Sequence, residues 1–383
     1  MDKKLYLDYA ATAPVNPKAF AAYVKATNNY IGNPSSPHSE GHKARQAIED
    51  ARRRIAKCMG CEPHEIIFTS GGTESNNIAM KILCPTIEQP LKVITTTLEH
   101  HSAQRPNTNA LYLRPDKEGF ILYKGRSQCL MDDMMVQFAN SDIGTIQDIK
   151  TLSNKFARNS EFIGTFFTDA VQAVGHIPIN LKKFPYVDML SASAHKFGGV
   201  KGCGFLYLSK ETDHLTKIPL MYGGSQERGL RAGTENVPAI MAMAIALEEA
   251  LDGIDYKIER RRSVQKRIIE GLSLIPDAEL NGATDLTRRL PNNVSFSFKG
   301  ILGDTLVAVL DAKYNIIVSA GAACESGNLD GNRIVKAIGK SKELAKGTIR
   351  ITFGDDLVDD TDGVDYIIQS ITDAVKELRK VKK

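Results

Sequence analysis

Ser193-Ala-His-Lys196 gathers a hydroxyl, an imidazole and an amine within four residues. The stretch follows an apolar run, Tyr186-Val-Asp-Met-Leu-Ser191, and precedes a glycine-rich turn, Gly198-Gly-Val-Lys-Gly-Cys-Gly204. A second apolar run, Phe205-Leu-Tyr-Leu208, closes the unit. A lysine between two buried strands is costly as a charge unless it is paired or deprotonated. One use for such a lysine is to hold a carbonyl compound as a Schiff base.

Other segments offer parts for the same kind of site. Gly71-Gly-Thr-Glu-Ser75 follows the run Ile66-Ile-Phe-Thr69 and opens a helical stretch. Helix N-termini present free N–H groups to anions, so this is either a phosphate cradle or an ordinary strand-to-helix turn. It is not a Walker loop, because no Gly-Lys-Ser/Thr follows. Asp169 ends another apolar run, where α/β sheets place ligands, and it also suits the N-cap of a following helix. Glu99-His100-His101 pairs two histidines, but sequence neighbours face different ways and no third ligand is spaced for zinc. One histidine stacking on a ring fits better, and no metal site is expected. Cys324 lies in Ser319-Ala-Gly-Ala-Ala-Cys-Glu-Ser-Gly327, whose small residues predict an exposed, mobile loop. Arg350, 26 positions later, sits in the alternating run Thr348-Ile-Arg-Ile-Thr-Phe353. Its guanidinium there is either a bidentate carboxylate clamp or a surface residue.

Two motifs are decoys. Ser193-x-x-Lys196 matches a serine β-lactamase signature, but neither Lys-Thr-Gly nor Ser-Asp-Asn accompanies it. Cys58-x-x-Cys61 lies at a helix end with no second cysteine pair, which favours core packing over zinc.

The elements that must position these residues alternate between strand and helix. Ile66–Thr69, Lys92–Thr95, Phe162–Phe167 and Val187–Leu190 read as buried parallel strands. The stretch His42–Met59 has apolar residues at helical spacing, with Gly60 as its stop signal. That alternation predicts an α/β fold with a mainly parallel sheet between helices. Past about residue 250 the pattern changes. A basic helix with Lys257, Arg260, Arg261, Arg262, Lys266 and Arg267 reads as a solvated face. Asn293–Phe298 alternates as a half-buried strand, and a terminal helix carries Val364, Ile367, Ile371, Val375 and Leu378. This predicts a smaller α+β domain built from 1–12 and 251–383, beside a large domain of 13–250.

Composition limits the alternatives. The 383 residues carry 49 Lys+Arg against 45 Asp+Glu, a net +4, too weak to argue for nucleic acid or a membrane surface. The longest apolar run, Ala239–Leu247, is half of the roughly 18 residues a membrane span needs, and no secretory h-region is expected. Six scattered cysteines (58, 61, 84, 129, 203, 324) suit a reducing compartment. A cytoplasmic protein is the expectation.

Taken in order, these segments resemble the cysteine desulfurases, pyridoxal-phosphate enzymes of the class V aminotransferase group and fold type I. The likeness runs from Tyr6-Leu-Asp-Tyr-Ala-Ala-Thr-Ala-Pro14 through Gly32-Asn-Pro-Ser-Ser36, Thr69–Ser75, Asp169-Ala-Val-Gln172 and Ser193–Lys196. It continues through Glu227-Arg-Gly-Leu-Arg-Ala-Gly-Thr234 to the Cys324 loop, long enough to resemble the group with an extended catalytic-cysteine loop, and to Arg350. The resemblance implies that Lys196 holds the cofactor and shuttles the Cα proton. Asp169 would pair with the pyridinium nitrogen, and Gln172 and Ser141 would face the ring oxygen. His100 would stack on the ring and help deprotonate the substrate thiol. Gly72, Thr73, Ser193 and His195 would hold the phosphate, with Thr234 reaching across from a second subunit of a homodimer. Arg350 and Asn33 would bind L-cysteine, and Cys324 would take its sulfur as a persulfide, leave alanine, and pass the sulfur to an acceptor protein. Iron–sulfur cluster assembly, tRNA thiolation, thio-cofactor synthesis and DNA phosphorothioation all begin with that persulfide.

Three departures stand out. Asn140-Ser141-Asp142 replaces the usual Asn-Asn-Glu, and Ser141 is shorter than the asparagine it replaces. Gln128–Val136 is a poor strand by composition. Ala320 and Ala322 stand where serines are common. Selenocysteine lyase or another class V activity is the alternative within the enzymes. A non-catalytic scaffold is disfavoured by Lys196, Asp169, His100, Cys324 and Arg350 occurring together.

Overall fold

The computed structural model describes residues 4–83, 93–104, 110–123, 133–158, 164–215, 221–321 and 330–381. Within them the strands run in chain order as β1 (Leu5–Tyr6), β2 (Ile66–Thr69), β3 (Val93–Thr96), β4 (Leu111–Leu113), β5 (Asp133–Met135) and β6 (Phe166–Asp169). They continue as β7 (Met189–Ser193), β8 (Gly204–Leu208), β9 (Ala278–Leu280), β10 (Asn293–Phe298), β11 (Ile316–Ile317) and β12 (Thr348–Thr352).

Seven of these form one sheet in the order β2-β8-β7-β6-β5-β3-β4. From β7 to β4 all neighbours are parallel. β8 is antiparallel to both β7 and β2. Thus Ile66–Thr69 is a buried strand as expected, but its pairing is antiparallel. The cause is the connection from β7 to β8. Residues 194–203 are too few for a crossover helix, so the chain must double back. That reversal holds Lys196 at the sheet end, in a 3-10 turn spanning Ala194–Lys196.

Apolar side chains cover both faces of this sheet. Ile66, Phe68, Met134, Phe166 and Phe205 pack on one side with the helices Ser39–Met59 and Val237–Leu251. Ile67, Met135, Phe167 and Leu206 pack on the other with helix Gly72–Leu83. Neighbouring strand residues point to opposite faces, so runs such as Ile66-Ile67 and Phe166-Phe167 must be apolar throughout. Each fully buried Phe or Ile contributes about 1.5–3 kcal/mol.

A separate core surrounds the antiparallel sheet β12-β10-β9. It joins Phe296, Phe298, Ile349 and Ile351 to the helices Ile254–Ser273, Gly303–Tyr314 and Thr361–Val381. Leu5 and Leu7 also belong to this core, because β1 pairs in parallel with β11. The chain then leaves it for the larger sheet: Ala10 N–H donates to Thr352 Oγ1 at 2.9 Å and Ala13 N–H to the His195 carbonyl at 2.9 Å. Residues 10–13 therefore lie directly on the lysine turn.

Three sequence expectations change. Asn293–Phe298 is buried at every position, not half-buried. Its serines are hydrogen-bonded internally: Asn281 Nδ2 donates to Ser295 and Ser297, and Ser297 Oγ lies 2.8 Å from Thr348 Oγ1. The run ending at Val136, poor by composition, contributes β5 to the interior of the sheet, where β3 and β6 flank it and pairing outweighs propensity; residues 128–132 lie outside the described residues. Arg261 is not on the solvated face of its helix, since it is buried and forks onto Asp355 at 2.6 and 2.9 Å.

Candidate active site

The carboxyl ends of β6 and β7 open into a cavity of about 180 Å³. Gly72, Thr73, His100, Ser141, Asp169, Gln172, Ser193, His195 and Lys196 all line it. Asp169 is the last residue of β6, Ser193 the last of β7, and Gly72 the first of its helix. Glycine is required at Gly72, where a Cβ would stand 2.5 Å from Val171 Cγ2. The helix N-terminus can approach the cavity only because that atom is missing. A larger cleft of about 780 Å³ shares none of these residues. Its arginine Arg52 is spent on Glu227 at 2.7 and 2.9 Å.

Lys196 Nζ donates to the carbonyls of Ala10 at 2.6 Å and Ala11 at 2.9 Å. Gln172 Nε2 donates to the same Ala10 carbonyl at 3.0 Å, and His195 Nδ1 lies 3.2 Å from Thr12 Oγ1. The 10–12 segment thus orients three cavity side chains. In the sequence, this segment is marked only by the resemblance. Asp169 is held by two donors: Val171 N–H to Oδ1 at 3.0 Å and Asn76 Nδ2 to Oδ2 at 2.8 Å. The aspartate is therefore a fixed acceptor aimed along the cavity, and it caps the turn that follows β6 as well.

Burial sets the protonation of the histidines. It lowers the His100 pKa, with Lys196, His101 and Arg333 adding repulsion and Asp169 opposing them. It lowers His195 to about 4, helped by Lys196 and Lys201, and brings His176 behind the turn to about 4. His176 Nε2 lies 2.9 Å from the Lys196 carbonyl. Beneath the cavity, burial raises the Glu99 carboxyl to about 8. It accepts from Thr96 Oγ1 at 2.6 Å and Gln137 N–H at 3.1 Å.

The remaining expected residues lie elsewhere. Arg350 is buried outside the cavity lining, with its guanidinium on Asp8 at 2.8 Å and Asp142 at 3.2 Å. It is not a surface arginine. Asn33 Nδ2 and Thr234 Oγ1 stand 3.4 Å apart, exposed and away from the cavity. Cys324 lies outside the described residues, as do Cys84 and Cys129. The chain on either side of 322–329 is in contact, since a Cβ on Gly321 would stand 2.5 Å from Asn332 Nδ2. Asn332 also donates to Asp142 at 3.3 Å, and Arg333 donates to the carbonyls of Thr97 and Glu99 at 2.6 and 2.8 Å. Burial pushes the Cys58, Cys61 and Cys203 thiols up to about 11, 12 and 12, as fits packing cysteines.

Asn76, Ser102, Gln137, Asp8 and Asp142 were not singled out from sequence as parts of this region. Asn76 had a readable signal, since it lies one helical turn after Gly72 and so shares its face. Asp8 and Asp142 lie in segments that bear on the resemblance, but nothing there pointed to Arg350, because those contacts span hundreds of residues.

A model of the class-V aminotransferase family matches residues 5–360. Cysteine desulfurase IscS of Dictyoglomus turgidum is 41% identical over 394 residues, covering 100% of this chain and 97% of that relative. Among solved structures, a NifS-like protein superposes with a TM-score of 0.86 at 30% identity, over 98% of this chain and 100% of that one. SspA in complex with cysteine gives 0.75 at 29% identity, over 92% and 99%. The chain belongs to the class-V aminotransferase family, with the α/β architecture of the fold type I enzymes. Within that family its place is among the cysteine desulfurases.

Proposed function

We propose that this chain converts L-cysteine to L-alanine and carries the sulfur on Cys324 as a persulfide for delivery to an acceptor protein. The observation that carries the reading is the convergence of Lys196, Asp169, His100 and Gln172 with a helix N-terminus at one sheet end. Enzymes of this family are pyridoxal-phosphate dependent, and the residues present fit that cofactor. A glycine-opened helix end with Thr73, Ser193 and neutral His195 suits a phosphate, a two-donor-anchored carboxylate suits a ring N–H, and a lysine lies between them. The cofactor, when bound, supplies an electron sink that weakens bonds at the amino-acid carbon.

The chain's own residues do the rest. Lys196 Nζ anchors the cofactor, then receives and returns the Cα proton. Asp169 Oδ2, steadied by Asn76, keeps the ring nitrogen protonated by its charge. Gln172, pinned to the Ala10 carbonyl, presents its amide toward the ring oxygen, with Ser141 on the same wall. Cys324 acts as a thiolate: its S–S bond to the substrate sulfur forms as the substrate C–S bond breaks. The electron pair leaves with carbon, which takes a proton to give alanine. Arg350 and Asn33 receive the substrate carboxylate, and Thr234 completes the phosphate site of a second subunit. We further infer a large unit of 13–250, a small unit of 1–12 and 251–383, a homodimer, and a cytoplasmic location. Among the described residues no helix is long and apolar enough to cross a membrane.

Alanine release from L-cysteine, measured with Cys324→Ala alongside, tests the reading. The variant should keep the visible cofactor band and lose persulfide and turnover. Full turnover of Cys324→Ala in dithiol would refute the persulfide step.

A further inference from the structure

Two hydrogen-bond donors converge on one nitrogen of His100. Ser102 N–H donates to Nδ1 at 3.1 Å, and Ser102 Oγ stands 2.6 Å from the same atom. The direction of the second bond follows from its neighbours. Asn76 Nδ2 spends its two hydrogens on Asp169 Oδ2 and on Ser102 Oγ, both at 2.8 Å. Turning that amide over would aim a carbonyl oxygen at a carboxylate. Ser102 Oγ therefore accepts from Asn76 and has its own hydrogen to give to Nδ1. With both donors on Nδ1, the neutral imidazole carries its hydrogen on Nε2.

We propose that Ser102 is a positioning residue: through Asn76 it ties His100 to Asp169 and holds the imidazole as an Nε2–H donor facing the cavity, not as the acceptor of the thiol proton, while Lys196 takes the substrate Cα proton. This rests on the desulfurase reading for the identity of the substrate, and it changes the part expected of His100. To take a thiol proton at Nε2, neutral His100 would first have to carry its hydrogen on Nδ1, against the fixed Ser102 N–H. Lys196 is committed to the Cα proton, so the thiol proton stays on the substrate sulfur and travels with it into the Cys324 persulfide. His100 instead donates a hydrogen bond to the substrate sulfur and orients it without a proton changing hands.

The charged groups around His100 are Asp169 from the end of β6, Lys196 from the turn after β7, His101 beside it, and Arg333 from the helix Arg333–Ala337. Asp169 favours the imidazolium and the other three oppose it. A donor on Nδ1 stabilises only the neutral ring, so removing one must raise the His100 midpoint. One neutral hydrogen bond of about 0.5–1.5 kcal/mol corresponds to a rise of roughly 0.4–1.1 pH units.

Nitrogen-15 spectra of histidine-labelled protein test this in both cofactor-free and loaded forms, with the His100 signal assigned by its loss in His100→Gln. The wild type should show the Nε2–H tautomer. Ser102→Ala should raise the His100 midpoint by about half a unit or more, and Ser102→Thr, which keeps the hydroxyl, should restore it. An Nδ1–H tautomer in the wild type, or an unmoved midpoint in Ser102→Ala, overturns the proposal. The wild-type tautomer needs no variant, so the test survives a variant that fails to fold. Alanine assays on the same wild-type sample keep the two readings apart: lost turnover with the tautomer intact refutes the desulfurase reading alone.

Discussion

Lys196 and Arg350 are both cations drawn out of water near the N-terminal segment, but they are held in different ways. Lys196 donates to the peptide carbonyls of Ala10 and Ala11. Arg350, 2% exposed, is clasped by two carboxylates, and one of them, Asp142, is as deeply buried as the arginine. A carbonyl gives up a charged donor at a cost of about 1.5–3 kcal/mol, and water can replace it. A buried carboxylate left without its arginine costs about 3–5 kcal/mol. The Lys196 contacts are therefore the cheaper ones to exchange, whereas Arg350, proposed to receive the substrate carboxylate, is already engaged.

That contrast can be broken from either side. The largest effect is expected at Lys196→Ala, which should abolish the visible cofactor band and lower alanine formation by about 10²–10⁴-fold. Intact absorbance in the variant would show that Lys196 is not the anchor. Asp142→Ala should lower the urea-unfolding free energy by about 3 kcal/mol, because it strands half of a buried ion pair. Asp142→Asn keeps the shape and frees one side of the guanidinium, so the KM for L-cysteine should fall several-fold. An unchanged or higher KM would mean that Asp142 does not compete with substrate for Arg350.

Glu99 sharpens the comparison by pH. Its folded pKa, about 8, lies well above the ordinary 4.3 or so of a free glutamate. The folded state binds that proton more tightly than the unfolded chain, so its contribution to stability is complete below about pH 4.3 and disappears as pH rises through 8. Wild type should lose a margin on the order of a few kcal/mol between pH 5 and 8 from this group, and Glu99→Gln should lack that loss. Denaturation curves at the two pH values decide it, and parallel pH dependence in the two proteins would exclude a raised Glu99 pKa. The smallest effect is expected at Thr234→Ala. Its loss should weaken cofactor retention only a few-fold, as befits one hydrogen bond, and only under conditions where the protein is dimeric. Equilibrium dialysis across a dilution series would show this.

Much of the cofactor side was legible in the chain. Lys196, Asp169 and Gly72 are marked by short apolar runs that end in a polar residue or a glycine, a pattern set within ten residues. Ser193 and His195 came from the same motif. Where local pattern misled, tertiary packing was the cause. The alternation in Asn293–Phe298 indicated one wet face, but Asn281 and Thr348 close that face with hydrogen bonds. The composition of Gln128–Val136 argued against a strand, but flanking strands on both sides make β5 one. Ser102 escaped notice because a serine two residues after a histidine is unremarkable until Asn76 arrives from another helix.

The sequence by itself supplied a lysine at a strand end, a glycine-opened helix and a carboxylate at another strand end, and their order carried the resemblance to the cysteine desulfurases. These follow from backbone periodicity and from what glycine permits over short distances. Only the tertiary structure decided that His100 Nδ1 meets Ser102, and that Arg350 rests on Asp8 and Asp142. Protonation and ion pairing depend on the last few ångströms between groups far apart in the chain, and burial magnifies each of those contacts by removing the water that would screen it.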